Sequence, residues 1–174
     1  MTRNGTTIHA SAVLVGDRAV LIRGPSGAGK SRLAFDLILA GRSGVLPPVT
    51  LVGDDRIYAE SRQGALIVRP APELAGLIEV RGLGIRQIGF IASATVGLVV
   101  DLDAADAERL PPPEALRTGI AGIELPRIPV AQGLLGLPMV VAWLTTIEGG
   151  DAIRRMDDCL KGFGNHISPT IATE

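Results

Sequence analysis

The stretch GPSGAGKS, Gly24–Ser31, decides how this 174-residue chain is read. It satisfies the pattern G-x-x-x-x-G-K-[ST] through Gly24, Gly29, Lys30 and Ser31. Glycines let such a loop curl until several backbone N–H groups face one anion. Pro25, Ser26, Gly27 and Ala28 complete the candidate nucleotide-binding segment. The flanking sequence agrees. SAVLVGDRAVLIRG, before the loop, reads as two strands with the turn at Gly-Asp-Arg. SRLAFDLILAG, after it, places Leu33, Ala34, Leu37 and Ile38 at helical spacing, with Gly41 where a C-terminal cap belongs. The helix N-terminus adds its partial positive charge to the cradle. Lys30 is expected to reach the β- and γ-phosphates of a nucleotide, and the Ser31 hydroxyl to ligate Mg²⁺.

Beyond that helix, residues 45–103 read mostly as β-structure. VTLVGDD, ALIVRP, GLIEVRG and TVGLVVDL are short apolar runs broken by glycine, proline and charge. PELAGL suits a short helical turn. Residues 104–129, with LPPPE and LPRIP, read as a loop or short helix. LLGLPMVVAWLTTI is apolar throughout and reads as a buried helix broken near Pro138. DAIRRMDDCLKGFG suits a helix ending at Gly162 or Gly164, followed by a loose end. No repeat or low-complexity segment interrupts the chain, so 1–174 reads as one domain.

Composition narrows the function classes. A hydrophobic fraction of 47% supports a folded core and argues against disorder. The net charge of −1 provides no basic field for nucleic acid or an anionic membrane. The single cysteine, Cys159, excludes an intrachain disulfide and reads as an ordinary thiol. MTRNGTTI lacks the apolar core of a signal peptide. LPMVVAWL falls short of the ~20 residues that cross a bilayer. The expected location is the cytoplasm.

A bound Mg²⁺ needs one or two carboxylates besides Ser31. Two places offer aspartates after an apolar strand: Asp54 and Asp55 in VTLVGDDR, Asp101 and Asp103 in VGLVVDLD. Spacing does not choose between them. Asp54 and Asp55, being adjacent, would point opposite ways on an extended chain. In GLIEVRGLGIRQIG, Glu79 and Arg81 alternate with Ile78 and Val80, which puts both on one face of a strand. They suit either a surface salt bridge or a metal ligand beside a phosphate-binding arginine. His9 lies at the start of the hairpin, His166 near the C-terminus and Arg109 in a polar segment. None of the three stands out by pattern.

The succession of TTIHAS, GPSGAGKS, LVGDD and IEVRGLGI resembles the catalytic domain of HPr kinase/phosphorylase. The run E-V-R-G-L-G-I is the most specific part of the likeness, which extends from about Thr7 to Arg109 and beyond. The resemblance implies an ATP-dependent serine kinase for HPr, a small phosphocarrier protein. It implies an α/β P-loop core similar to phosphoenolpyruvate carboxykinase, with a strand-rich central sheet, and a homo-oligomer, commonly a hexamer. Gly24–Ser31 would hold ATP, with Lys30 catalytic and Ser31 on Mg²⁺. Asp55 would accept the proton of the HPr serine, supported by Asp54. Glu79 would be the second metal ligand. His9 matches the catalytic histidine and Arg109 an active-site arginine. Ile78–Gln87, with Arg81, would serve both reactions of the family.

Two departures shape the expectation. Only eight residues precede His9, which suggests a short form without the N-terminal domain of longer relatives. The family's P-V-R-P-G-R loop is here Pro129-Val130-Ala131-Gln132-Gly133-Leu134. Arginine is the usual means of building a second anion site. With both arginines absent, the kinase reaction is still expected from the resemblance and the phosphorylase reaction is not. The competing readings are a small-metabolite kinase and an ATP-binding sensor without catalysis.

Overall fold

The structure, a computed structural model, describes residues 6–146. The helix expected in 151–164, Cys159 and His166 lie outside the described residues. The elements run β1 (Thr6–Ile8), β2 (Ser11–Val15), β3 (Arg18–Arg23), α1 (Lys30–Arg42), β4 (Val49–Gly53), β5 (Ile57–Arg62) and β6 (Ala65–Pro70). Then come β7 (Leu77–Val80), β8 (Gly84–Gln87), β9 (Ala94–Leu102), β10 (Arg117–Ile120), β11 (Ile123–Val130) and α2 (Gly136–Thr145). Short 3-10 turns occupy Pro72–Leu74 and Pro113–Leu116. The molecule is an α/β fold on a strand-rich mixed sheet of nine strands.

β2 and β3 form the expected antiparallel hairpin, Ser11 opposite Ile22 and Val15 opposite Arg18. On its outer side β2 pairs with β4, and β3 lies parallel to β9, which in turn lies parallel to β11. The order β4-β2-β3-β9-β11 therefore points the carboxyl ends of β3, β4, β9 and β11 toward one edge. Loops at such an edge are where open α/β sheets place their ligands.

Strand periodicity divides the apolar residues between two cores. Val20 and Ile22 of β3 face α1, where they meet Leu33, Ala34, Leu37 and Ile38. Ala19 and Leu21 face the opposite layer with Val52, Ile57, Leu66 and Val68. β9 changes face part-way. Ala94 and Val96 point to the second core, whereas Leu98, Val100 and Leu102 point to the first. The pairing with β3 slips between Val96 and Leu98, leaving Gly97 as the extra residue of a β-bulge. The amino half of β9 pairs with β6 and its carboxyl half with β3 and β11.

Several sequence expectations need correction. Gly41 does not cap α1 but lies inside it, packed so closely on β4 that a Cβ would sit 2.8 Å from Val49. Residues 104–129 are not loop or helix alone: they contain β10 and most of β11. The prolines misled because each half of β11 has one neighbour, β10 along Ile123–Pro126 and β9 along Arg127–Val130. A proline nitrogen can face the open side of such a strand. β5, IYAESR, is also a strand, hydrogen-bonded between β1 and β6. α2 is not broken at Pro138, which occupies its first turn, where no intrahelical N–H bond is required. Nor is α2 buried throughout: Val140 is enclosed, while Trp143 is 44% exposed.

Candidate active site

The glycine loop sits between β3 and α1. Gly24, Gly27 and Gly29 have φ of 150°, 83° and 95°. A side chain at Gly24 would also collide with the chain after β9, because its Cβ would lie 2.9 Å from the Leu102 carbonyl oxygen. Gly29 is the N-cap of α1, and no acidic residue occupies the first turn. The first-turn N–H groups have no helical acceptors. Loop and helix end thus gather free N–H groups, with no acidic residue of their own in the first turn. Lys30 is 7% exposed, and its Nζ donates to the Gly24 and Pro25 carbonyls at 3.0 and 2.9 Å.

β4 delivers the acidic pair to the same edge. The β2–β4 register slips between Ala12 and Val13, so β4 carries a bulge just before Gly53. Bulges next to functional sites re-aim the residues that follow. Asp54 is 4% exposed. Its Oδ1 accepts from Ser31 Oγ at 2.9 Å and from Ser11 Oγ at 2.5 Å, and its Oδ2 from the Glu79 N–H at 3.1 Å. One carboxylate therefore joins the start of α1, the β2 strand and the β7–β8 hairpin. Asp55 has φ 67°, so the pair does not lie on extended chain. The two still diverge, because the left-handed turn sends Asp55 outward to His9, whose Nε2 lies 2.9 Å from Asp55 Oδ1. The side chains of His9 and Asp55 are 53% and 62% exposed.

The hairpin of β7 and β8 pairs Glu79 with Ile85 and Val80 with Gly84. Glu79 is on the strand and exposed, its backbone bound to Asp54. Arg81 lies in the turn beyond Val80, so the expected alternation ends one residue before it. Arg109 is exposed on the segment after β9. Lys30, Ser31, Asp54, Asp55, His9 and Glu79 are thus linked by contacts or by chain adjacency. Arg81, in the β7–β8 turn, and Arg109, on the segment after β9, make no hydrogen bond to that group among the described residues.

The sequence missed an ion cluster at the same edge. Asp101, weighed as a metal ligand, instead receives Arg23 Nε and Nη2, each at 2.7 Å. It also receives Arg127 Nε at 2.5 Å. Ser11 went unremarked although a serine in an apolar strand is a detectable signal: it is fully buried against Asp54. Burial alone would push the Asp101 carboxyl up, but hydrogen bonds from Arg23 and Arg127 outweigh it and hold the group below its ordinary value. The Arg127 hydrogen bond lowers Asp106 likewise.

Both carboxyls are depressed from 3.8, so their stabilising effect is complete above that pH and is lost as pH falls through the lower folded values. Asp101→Ala is expected to cost ~3 kcal/mol at neutral pH, the lower range for a buried ion pair losing one partner. It should also flatten the loss of stability below about pH 4. Thermal unfolding from pH 7 to pH 3 checks this. Equal acid slopes in the two proteins would clear the cluster of responsibility.

Strand, glycine loop, helix and mixed sheet define the class as a strand-rich α/β domain with a glycine loop at the carboxyl edge of its sheet. The family model for the HPr Serine kinase C-terminal domain matches residues 2–134, and the chain belongs to that family. The chain is 37% identical over 142 residues to the HPr kinase/phosphorylase of Enterococcus faecalis, covering 74% of this chain and 43% of that protein. The Bordetella pertussis HPr kinase/phosphorylase is 33% identical over 156 residues, 83% of this chain and 44% of that one. This chain thus spans less than half the length of either relative. The solved structure of the Hpr(Ser) kinase/phosphatase from Coxiella burnetii matches with a TM-score of 0.63 at 25% identity, over 90% of this chain and 99% of that one. Among the described residues, no helix is long and apolar enough to cross a membrane.

Proposed function

We propose that this chain is an ATP-dependent serine kinase whose acceptor is the phosphocarrier HPr. The observation that carries the reading is the pairing of Asp55 with His9 one residue from Asp54, which itself touches Ser31 at the mouth of the glycine loop. Family membership supports the substrate class. Exposure of Asp55 and His9 supports a protein acceptor, since a base at the surface can meet a serine presented on another protein. That exposure is also what weighs against a kinase of a small metabolite, which would be enclosed. We read the core as a P-loop domain similar to phosphoenolpyruvate carboxykinase, acting as a single catalytic unit and as a homo-oligomer, hexameric by family resemblance.

The site's chemistry suits Mg²⁺. Ser31 Oγ and the Asp54 and Glu79 carboxylates are hard oxygen donors. Mg²⁺ commonly keeps several waters and is bound through one or two carboxylates plus substrate phosphates. When bound, the ion would neutralise charge on the transferring phosphoryl group. The loop N–H groups and Lys30 hold the phosphates in line. Asp55 takes the serine proton as the hydroxyl oxygen bonds to the γ-phosphorus and the bond to ADP breaks. His9 fixes the Asp55 carboxylate for that transfer. Arg81 and Arg109, both exposed, supply positive charge at the rim. The turn after Val130, without arginines, fits poorly with attack by inorganic phosphate on phospho-HPr.

The test is intact mass of HPr after incubation with the protein and Mg-ATP. One added phosphate, placed on serine by fragmentation, is expected. An unmodified HPr alongside demonstrated ATP binding would overturn the kinase reading and favour a nucleotide-dependent sensor.

A further inference from the structure

Arg127 plays no part in the proposed transfer step, yet with four hydrogen bonds its guanidinium is more heavily engaged than that of Arg23 beside it. Besides Asp101, it grips Asp106 through both terminal nitrogens, Nη1 to Oδ2 at 2.6 Å and Nη2 to Oδ1 at 2.9 Å. Nη1 also donates to the Ala115 carbonyl at 2.9 Å. Its side chain is 12% exposed, whereas Asp106 is 53% exposed. A guanidinium fork fixes orientation as well as distance, which an ammonium does not.

The gripped segment begins against the glycine loop. Leu102 touches the space beside Gly24, and Asp101 is clamped by Arg23, the residue before Gly24. The Ala104 N–H donates to the Val130 carbonyl at 3.0 Å, tying the segment's start to the end of β11. Asp106 is the next tether, and Arg109 follows three residues later, exposed. A partly buried ion cluster of this kind contributes little net stability and more to a defined geometry.

We propose that Arg127 is a positioning residue that, through Asp106, sets the 103–112 segment and presents Arg109 at the phosphoryl-transfer site. The proposal rests on the kinase reading for its effect on rate, but the tether itself is testable without it.

Asp106→Ala removes the grip from an exposed position and leaves Asp101 its two arginines. Hydrogen exchange of the nucleotide-free protein is expected to speed up at least about 10-fold across 103–110, with the rest of the sheet unchanged. Unchanged exchange there would overturn the tether whatever the protein phosphorylates. In the HPr assay, Asp106→Ala should lower kcat by roughly 10-fold or more through misplacement of a distant group. The KM for ATP should stay near that of the wild type, and Asp106→Glu should restore part of the rate. In an Arg109→Ala background, Asp106→Ala should cost nothing further. Additive losses in the double variant would overturn the link to Arg109 while leaving the kinase reading intact. Arg127→Lys should reproduce the Asp106→Ala rate, since the charge survives and the fork does not. A wild-type rate in Arg127→Lys would equally overturn the proposal.

Discussion

Asp55→Asn is expected to lower the rate of HPr phosphorylation by about 10²–10⁴-fold, the range over which a positioned general base contributes. The substitution is chosen for its backbone. Asp55 has φ 67°, and asparagine accepts the left-handed region nearly as well as aspartate. The amide keeps an oxygen for the His9 contact but cannot take up the serine proton. The side chain is 62% exposed, so little packing is lost and the unfolding temperature should hold. Alanine would confound the result by adding strain at a positive φ, of order 1–3 kcal/mol. Initial rates of phosphoserine formation at saturating Mg-ATP give the answer. Turnover within a few-fold of the wild type would remove Asp55 from the role of base.

Lys30→Met is the second large effect, expected at roughly 10²–10³-fold in kcat, as when one preorganised charge-stabilising donor is removed. Nζ now bonds to two carbonyls of its own loop, Gly24 and Pro25. Occupation by a nucleotide asks it to exchange those neutral acceptors for phosphate oxygens, a stronger, charge-assisted pairing. Methionine retains the stem that packs at this nearly closed position and loses only the ammonium. The loop keeps its glycine conformations and N–H groups, so ADP should still bind. Calorimetric titration with ADP, beside the phosphorylation assay, separates the two functions. Normal turnover in Lys30→Met would show that the backbone cradle suffices and that the lysine is structural.

The parts of this molecule that were legible in the sequence are those written locally. GPSGAGKS announces its strand and helix within twenty residues on either side, and the hairpin before it turns where Gly-Asp-Arg predicts. The β-rich middle was legible because each apolar run is short and bounded. β11 was not, because its prolines look prohibitive until the sheet supplies an open side for them. The helix end was misplaced because Gly41 is a packing glycine, and close approach to Val49 leaves no mark in the local sequence. The acidic residues show the same limit. Asp54 and Asp101 both follow an apolar run, yet one meets Ser31 and the other meets Arg23, 78 positions away, and Arg127, 26 away. Nothing near either aspartate records those partners. The family likeness pointed to Asp54 and Asp55 by motif, and it was silent about the cluster on Asp101.

The extra residue at Gly97 makes β9 a strand of two parities. Even-numbered residues before it and odd-numbered residues after it share one layer. The glycine is therefore a phase shifter between the half of the sheet that carries β5 and β6 and the half that carries the glycine loop. Each half keeps its own count of residues, and the count is reconciled at a single point. Drift in the β5–β6 half can be absorbed there, while Asp101 and Leu102 stay in step with Arg23 and Gly24. A shift of register on the remote side of the molecule is thereby kept from the glycine loop.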